Sequence, residues 1–255
     1  MPLYTAKHVT SVSDDYRDNI IMGRSTESYN MNKKLPELFH INSWLGRRCF
    51  IIGGGESLKG FDFKKLDGEL TIGINKAFKY YPNSTLNYFM DSVFPDVMEQ
   101  GDYDEVGEPP LLDFWKKYMG VKVFITPMEV KQFSSDIYVV RRNLIPEINR
   151  EHLDHGIYAG NNSGTGAIGL AVALGSTKIF LLGYDMKAVT QTHWHSGYGK
   201  KSVEAYNKEL VKYRKDIEKL VPLLDQAGVE VVNLSKDSDL RCFPFGDVNE
   251  ILHKG

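Results

Sequence analysis

The sequence predicts an α/β fold: a mostly parallel sheet with helices on both faces, in a single domain that follows an N-terminal arm. Three observations predict it. Six short runs are apolar almost without interruption, as strands covered on both faces are. The stretches between them are long enough for helices, which parallel neighbours require as crossovers. A chain of 255 residues suits one sizeable domain with its own core.

Taken in order, residues 1 to 34 are polar and without period, and "LPELFHINSWLG" reads as a short amphipathic lead-in, so the arm is placed at 1–45 and the domain at 46–255. The strand runs are "RCFII" (48–52), "LTIGI" (70–74), "LNYFM" (86–90), "VKVFI" (121–125), "KIFLLG" (178–183) and "VEVVNL" (229–234). One helix is expected to open with Ser163 as N-cap and to stop at Gly175, and its small residues suit close packing on a sheet. A second begins after Ser202, with Val203, Tyr206, Leu210, Tyr213, Ile217, Leu220 and Leu224 at steps of three and four, and closes at Gly228. Pro222 should kink or end it. Residues 92–120, acidic, aromatic and rich in proline and glycine, read as a long connection able to cover a site, or as a surface insertion.

Composition removes several classes of function. The net charge of -2 mixes 31 basic with 33 acidic residues, so there is no basic stripe for nucleic acid or for a membrane surface. The longest strongly apolar stretch, "AIGLAVALG", falls far short of the roughly 20 residues that span a bilayer, and no secretory signal opens the chain. Cys49 and Cys242 are too few for a disulfide framework and have no metal-ligand spacing. These features suit a soluble cytoplasmic protein with a small polar partner; self-association stays open.

"FIIGGGESLKGFD" (50–62) follows a strand with three glycines. It is not a P-loop, because Phe61 stands where the lysine belongs. It is not a dinucleotide fingerprint either, because Leu58 replaces the last glycine and Asn75 takes the place of the acid. What remains is a tight turn, or a turn whose exposed amides, with Ser57, approach an anion. Asn75, Asp91 and Asp185 each end or follow a strand, where ligands of open α/β sheets bind, although such residues also serve local turn chemistry. "AGNNSGTGAIGL" (159–170) puts Ser163, Gly164 and Thr165 at a helix start, a second candidate anion site. "THWHSGYGKKS" (192–202) offers His193 and His195; a His-x-His pair without a third ligand argues against zinc and for a general base. The start of the long helix would lower the pKa of a histidine lying against it.

Several of these segments together resemble a known group. "IIGGGESLKGFDFKKL" is similar to the G-x-G-P-S-L opening of bacterial sialyltransferases that use a CMP-linked sugar on a Rossmann-like domain, and "IGINKAF" to their strand ending in asparagine. "NNSGTGAIGLAVALGSTKIFLLGYDM" resembles their serine-glycine turn, alanine-rich helix and strand ending in G-x-D; "HS" at 195–196 and "VVNLSKDSDLRCF" complete an ordered match over residues 47–243. The chain also resembles a wider superfamily that includes an archaeal pterin diphosphokinase and surface-polysaccharide proteins. The resemblance implies that Gly53, Gly55 and Ser57 line donor phosphate and ribose, Asn75 the nucleotide, and Ser163, Gly164 and Thr165 the donor sugar or phosphate; Gly54, Asp91 and Asp185, beside them at the strand ends, are expected in the same nucleotide and donor site. It further implies Ser235 and Ser238 near the base and His195 as general base; His193 beside it and Tyr198, as a hydrogen-bond donor to the leaving nucleotide, complete the candidate catalytic residues.

The expected activity is therefore transfer of a sugar from a nucleotide-sugar donor to a small or glycan acceptor, with no required cofactor. Gly54, Glu56 and Asp91 depart from the family's asparagine, proline and asparagine. The added carboxylates leave a second reading open, a Mg-dependent pyrophosphokinase with Glu56, Asp91 and Asp185 around the metal. A third is a nucleotide-binding protein without catalysis.

Overall fold

The computed structural model describes residues 33–40, 42–91, 93–126, 136–148, 153–196 and 201–253. Its strands are β1 (Lys33–Lys34), β2 (Arg48–Ile52), β3 (Leu70–Ile74), β4 (Leu86–Phe89), β5 (Val121–Thr126), β6 (Ile137–Asn143), β7 (Ile157–Tyr158), β8 (Lys178–Leu182) and β9 (Glu230–Asn233). The order across the sheet is β1-β6-β5-β4-β3-β2-β8-β9, with β7 on β6, and every strand pair among the described residues is parallel. The helices are α1 (Ala77–Tyr80), α2 (Phe94–Gln100), α3 (Leu111–Lys117), α4 (Ser163–Ala173), α5 (Val203–Glu218), α6 (Val221–Gln226) and α7 (Val248–His253).

Side-chain alternation sorts these helices into two layers. Cys49 and Ile51 of β2 face one side, in a core that includes Ile168 and Leu170 of α4, Ile217 of α5 and Leu224 of α6. Phe50 and Ile52 face the other side, against Leu58, Leu66 and Ala77, with Val248 and Ile251 of α7 packed over them. On that same face Phe89 and Phe124 meet Phe94 and Met98 of α2 and Trp115 of α3. The expected parallel sheet with helices on both faces is therefore the architecture observed.

Several details depart from the sequence reading. Asn162, not Ser163, caps α4, its Oδ1 accepting the Thr165 amide at 2.8 Å. Asparagine can fold its carbonyl back onto the free amides of a helix start while keeping an extended backbone of its own. The long helix stops before Gly228, as one of the two outcomes expected of Pro222: α5 ends at Glu218, and the proline sits in the first turn of α6, where its missing N–H is no loss. Residues 94–117 are a two-helix crossover from β4 to β5 with a buried aromatic core, rather than an irregular connection. The domain also starts earlier than residue 46: β1 pairs with β6, and Leu35 and Trp44 are buried.

The topology places the site. From β2 the chain runs outward through β3, β4, β5 and β6, then returns to the other side of β2 as β8 and β9. Strand order reverses between β2 and β8, and ligands of open α/β sheets bind in the crevice beyond such a point.

Candidate functional site

Beyond the carboxyl ends of β2, β3, β4 and β8 lies a cavity of about 470 Å³. The glycine turn forms its floor, and its amides are not all available. Gly53 N–H donates to the Leu182 carbonyl and Gly55 N–H to the Gly183 carbonyl, each at 2.8 Å. The expectation of a row of exposed amides is thus corrected: two of the three are spent on stitching the turn to the end of β8. The Gly54 amide has no partner among the described residues, and Gly54 lines the cavity.

The glycines are needed because the backbone here is closely approached. A Cβ at Gly53 would lie 2.8 Å from the Gly183 oxygen, at Gly54 2.7 Å from His193 Cδ2, and at Gly55 2.5 Å from the Asp185 carboxyl carbon.

Nine of the expected residues line the cavity: Gly53, Gly54, Gly55, Asn75, Asp91, Ser163, Gly164, His193 and His195. Five do not. Asp185 is buried, accepting the Ser57 amide at 2.7 Å and the Ser57 hydroxyl at 2.5 Å, so both are committed to one another. Ser235 Oγ accepts the Tyr184 amide at 3.0 Å, and Ser238 Oγ donates to the Tyr184 carbonyl at 2.5 Å; these buried serines brace the chain after β8. Thr165 is fully buried in the capping interaction with Asn162. Tyr198 lies outside the described residues.

Two cavity residues hold left-handed backbones without being glycine: Asn75 at φ 52° and Met186 at φ 49°. Such conformations are uncommon, more so for methionine than for asparagine, and they gather where a surrounding structure fixes a functional geometry. Asn75 is pinned on both sides, donating to the Tyr88 carbonyl and accepting from Asn87 Nδ2, each at 2.9 Å. Its Oδ1 is buried and has no hydrogen-bond partner among the described residues.

The histidine loop is fixed by the tryptophan between the two histidines. Trp194 N–H donates to the Gly54 carbonyl at 3.1 Å and Nε1–H to the Gly53 carbonyl at 3.3 Å, while its ring packs on Tyr80 and Phe63. His193 and His195 stack on each other at 5.6 Å and both line the cavity. His193 Nε2 lies 3.3 Å from the Tyr206 hydroxyl and Nδ1 3.1 Å from Thr192 Oγ1. His195 Nδ1 lies 3.1 Å from the Ser196 carbonyl, so the neutral ring carries its proton on Nδ1 and its acceptor on Nε2. Burial, then Lys76 and Lys201, lower His193 to about 4; burial, then His193 and Lys76, lower His195 to about 3. The cause is desolvation and nearby cations rather than the helix start that the sequence suggested.

Helix α5 supplies the remaining wall, with Tyr206, Glu209, Leu210 and Tyr213 on one face and Lys201 bonded to Glu209 at 2.6 and 2.7 Å. Sequence reading assigned Tyr206, Leu210 and Tyr213 to the core stripe. The available signal was that both tyrosines of that stripe, Tyr206 and Tyr213, come before Ile217, Leu220 and Leu224, after which no polar group interrupts it.

The carboxylates expected around a metal are dispersed in function. Glu56 accepts from the Val189, Thr190 and Gln191 amides and from the Thr190 hydroxyl. Burial pushes its carboxyl up, but these bonds win and hold it at about 2. With Asp185 tied to Ser57, Glu56, Asp91 and Asp185 form no common cluster, and among the described residues no group of three histidines, cysteines or carboxylates is spaced to hold a metal ion. Nor is any helix among them long and apolar enough to cross a membrane. No protein-family model matches the chain, and no curated protein matches it in sequence.

Proposed function

We propose that the protein is a glycosyltransferase that moves a sugar from a nucleotide-sugar donor, of the CMP-sugar kind, to an acceptor hydroxyl. The observation that carries this reading is the meeting, in one cavity at the switch point, of a helix start, a strand-end asparagine and two neutral imidazoles. The amides of Ser163 and Gly164, left over at the start of the 11-residue helix α4, offer the donor phosphate hydrogen bonds and the positive end of the helix dipole. Asn75 meets the nucleoside. His195 Nε2 takes the proton of the acceptor hydroxyl as its oxygen bonds to the anomeric carbon. The bond from that carbon to the phosphate oxygen breaks, and the nucleotide leaves with the electron pair as its monophosphate. Stabilising that charge is the main task of the site.

A thermal-shift series with CMP, CMP-sugar, UDP-sugar and ATP, each with and without Mg, tests the reading. CMP at a hundred times its dissociation constant should stabilise the protein by about 2.7 kcal/mol with or without metal. His195→Ala should keep that shift and lose sugar transfer by about 10²- to 10⁴-fold. Stabilisation only by ATP with Mg would replace this reading by phosphoryl transfer.

A further inference from the structure

We infer that the ion pair between the fully buried Lys76 and the half-buried Glu105 is a clamp that positions His195 over the cavity; its catalytic meaning rests on the transferase reading, its structural meaning does not. Lys76 follows Asn75 at the end of β3 and has no exposed surface. A buried ammonium is tolerated only if its donors are matched, and here Nζ donates to three acceptors: the Tyr103 carbonyl at 3.0 Å, Glu105 Oε1 at 2.8 Å and the Ser196 carbonyl at 2.8 Å. Two of these belong to the β4–β5 crossover and the third to the histidine loop.

The Ser196 carbonyl that accepts from Lys76 is also the partner of His195 Nδ1. The Ser196 hydroxyl donates to Glu105 Oε2 at 2.9 Å. Glu105 further accepts from Lys79 at 3.0 Å and from the Tyr80 hydroxyl, and the Tyr80 ring stacks on His195 at 5.3 Å. Both the carbonyl at the imidazole edge and the ring on its face are thus held by the same ion pair, fully buried on the Lys76 side and half-buried on the Glu105 side. Moving the loop away would strip a fully buried ammonium of the Ser196 carbonyl, and that loss opposes undocking of the loop.

Amide hydrogen exchange on the full chain tests the clamp without an assay of activity. The double variant Lys76→Met with Glu105→Gln removes the fully buried charge together with its partner, so the fold should survive. Exchange in residues 192–196 should rise about tenfold or more, while 189–191, anchored separately by Glu56, and helix α4 stay as in the parent. Nucleotide affinity should hold, and turnover should fall roughly tenfold to a hundredfold at unchanged donor KM. Unchanged exchange in 192–196 would overturn the inference. If the double variant does not fold, Glu105→Gln alone is read by the same criterion. A parent protein that transfers no sugar would remove the transferase reading, while the exchange result still decides the clamp.

Discussion

A methyl group at Gly55 would fall 2.5 Å from the Asp185 carboxyl carbon and 2.7 Å from the Gly183 carbonyl oxygen, and both of those groups are held by hydrogen bonds. At Gly54 the obstacle is the imidazole edge of His193, the far end of a side chain that can swing away. Gly55→Ala should therefore cost on the order of 1–3 kcal/mol of stability, and Gly54→Ala well under that while displacing His193. Thermal melts of the two variants check this; equal losses would mean that the His193 ring is as fixed as the Asp185 carboxylate. The residue scale is also where the sequence was least informative. The three glycines announce a constrained turn, but only the fold tells that the chain after β8 supplies the close approach. Lys76 and Glu105 are 29 positions apart, and no local pattern marks them as a pair.

At the scale of the element, the loop 189–196 is sewn down by Glu56 at one end, Trp194 in the middle and the Lys76–Glu105 pair at the other. Packing against Lys76, Lys201, Tyr80 and Tyr206 keeps both imidazoles neutral, with Glu105 as the nearby opposing charge. The folded loop excludes protons that an unfolded histidine would take up near its ordinary value of about 6.5. Stability from these groups is therefore fully present above that value and is lost as pH falls toward about 4 for His193 and about 3 for His195. The carbon-bound imidazole proton shifts of both residues should stay constant from pH 8 to about 5 in NMR titrations. A midpoint near 6.5 for either would mean that its ring is solvated. Strand positions were legible because doubly buried strands must be apolar throughout. By contrast β6, "IYVVRRN", follows four apolar residues with two arginines and an asparagine, so only its first half reads as a covered strand. The early end of the long helix was legible from Pro222, whose ring and missing N–H dictate it.

For the whole molecule, the parallel order with its reversal between β2 and β8 decides which residues meet, and hydrogen bonds close the seam at that reversal. Gly53 and Gly55 bond across it to Leu182 and Gly183, Ser57 bonds to Asp185, and Ser235 supports Tyr184 from behind. Asp185, which follows a strand, is the central acceptor of this seam, with both carboxylate oxygens in use. Losing two hydrogen bonds to a buried carboxylate should cost Asp185→Ala on the order of 1–3 kcal/mol, the Ser57 side being partly open to solvent. Because the seam carries the cavity floor, nucleotide binding should weaken too, and by the same factor in the presence and absence of Mg. Paired thermal melts and nucleotide titrations with EDTA or Mg measure both quantities. A loss confined to the Mg series would place the carboxylate on a metal and would turn the seam from a structural joint into part of a phosphoryl-transfer centre.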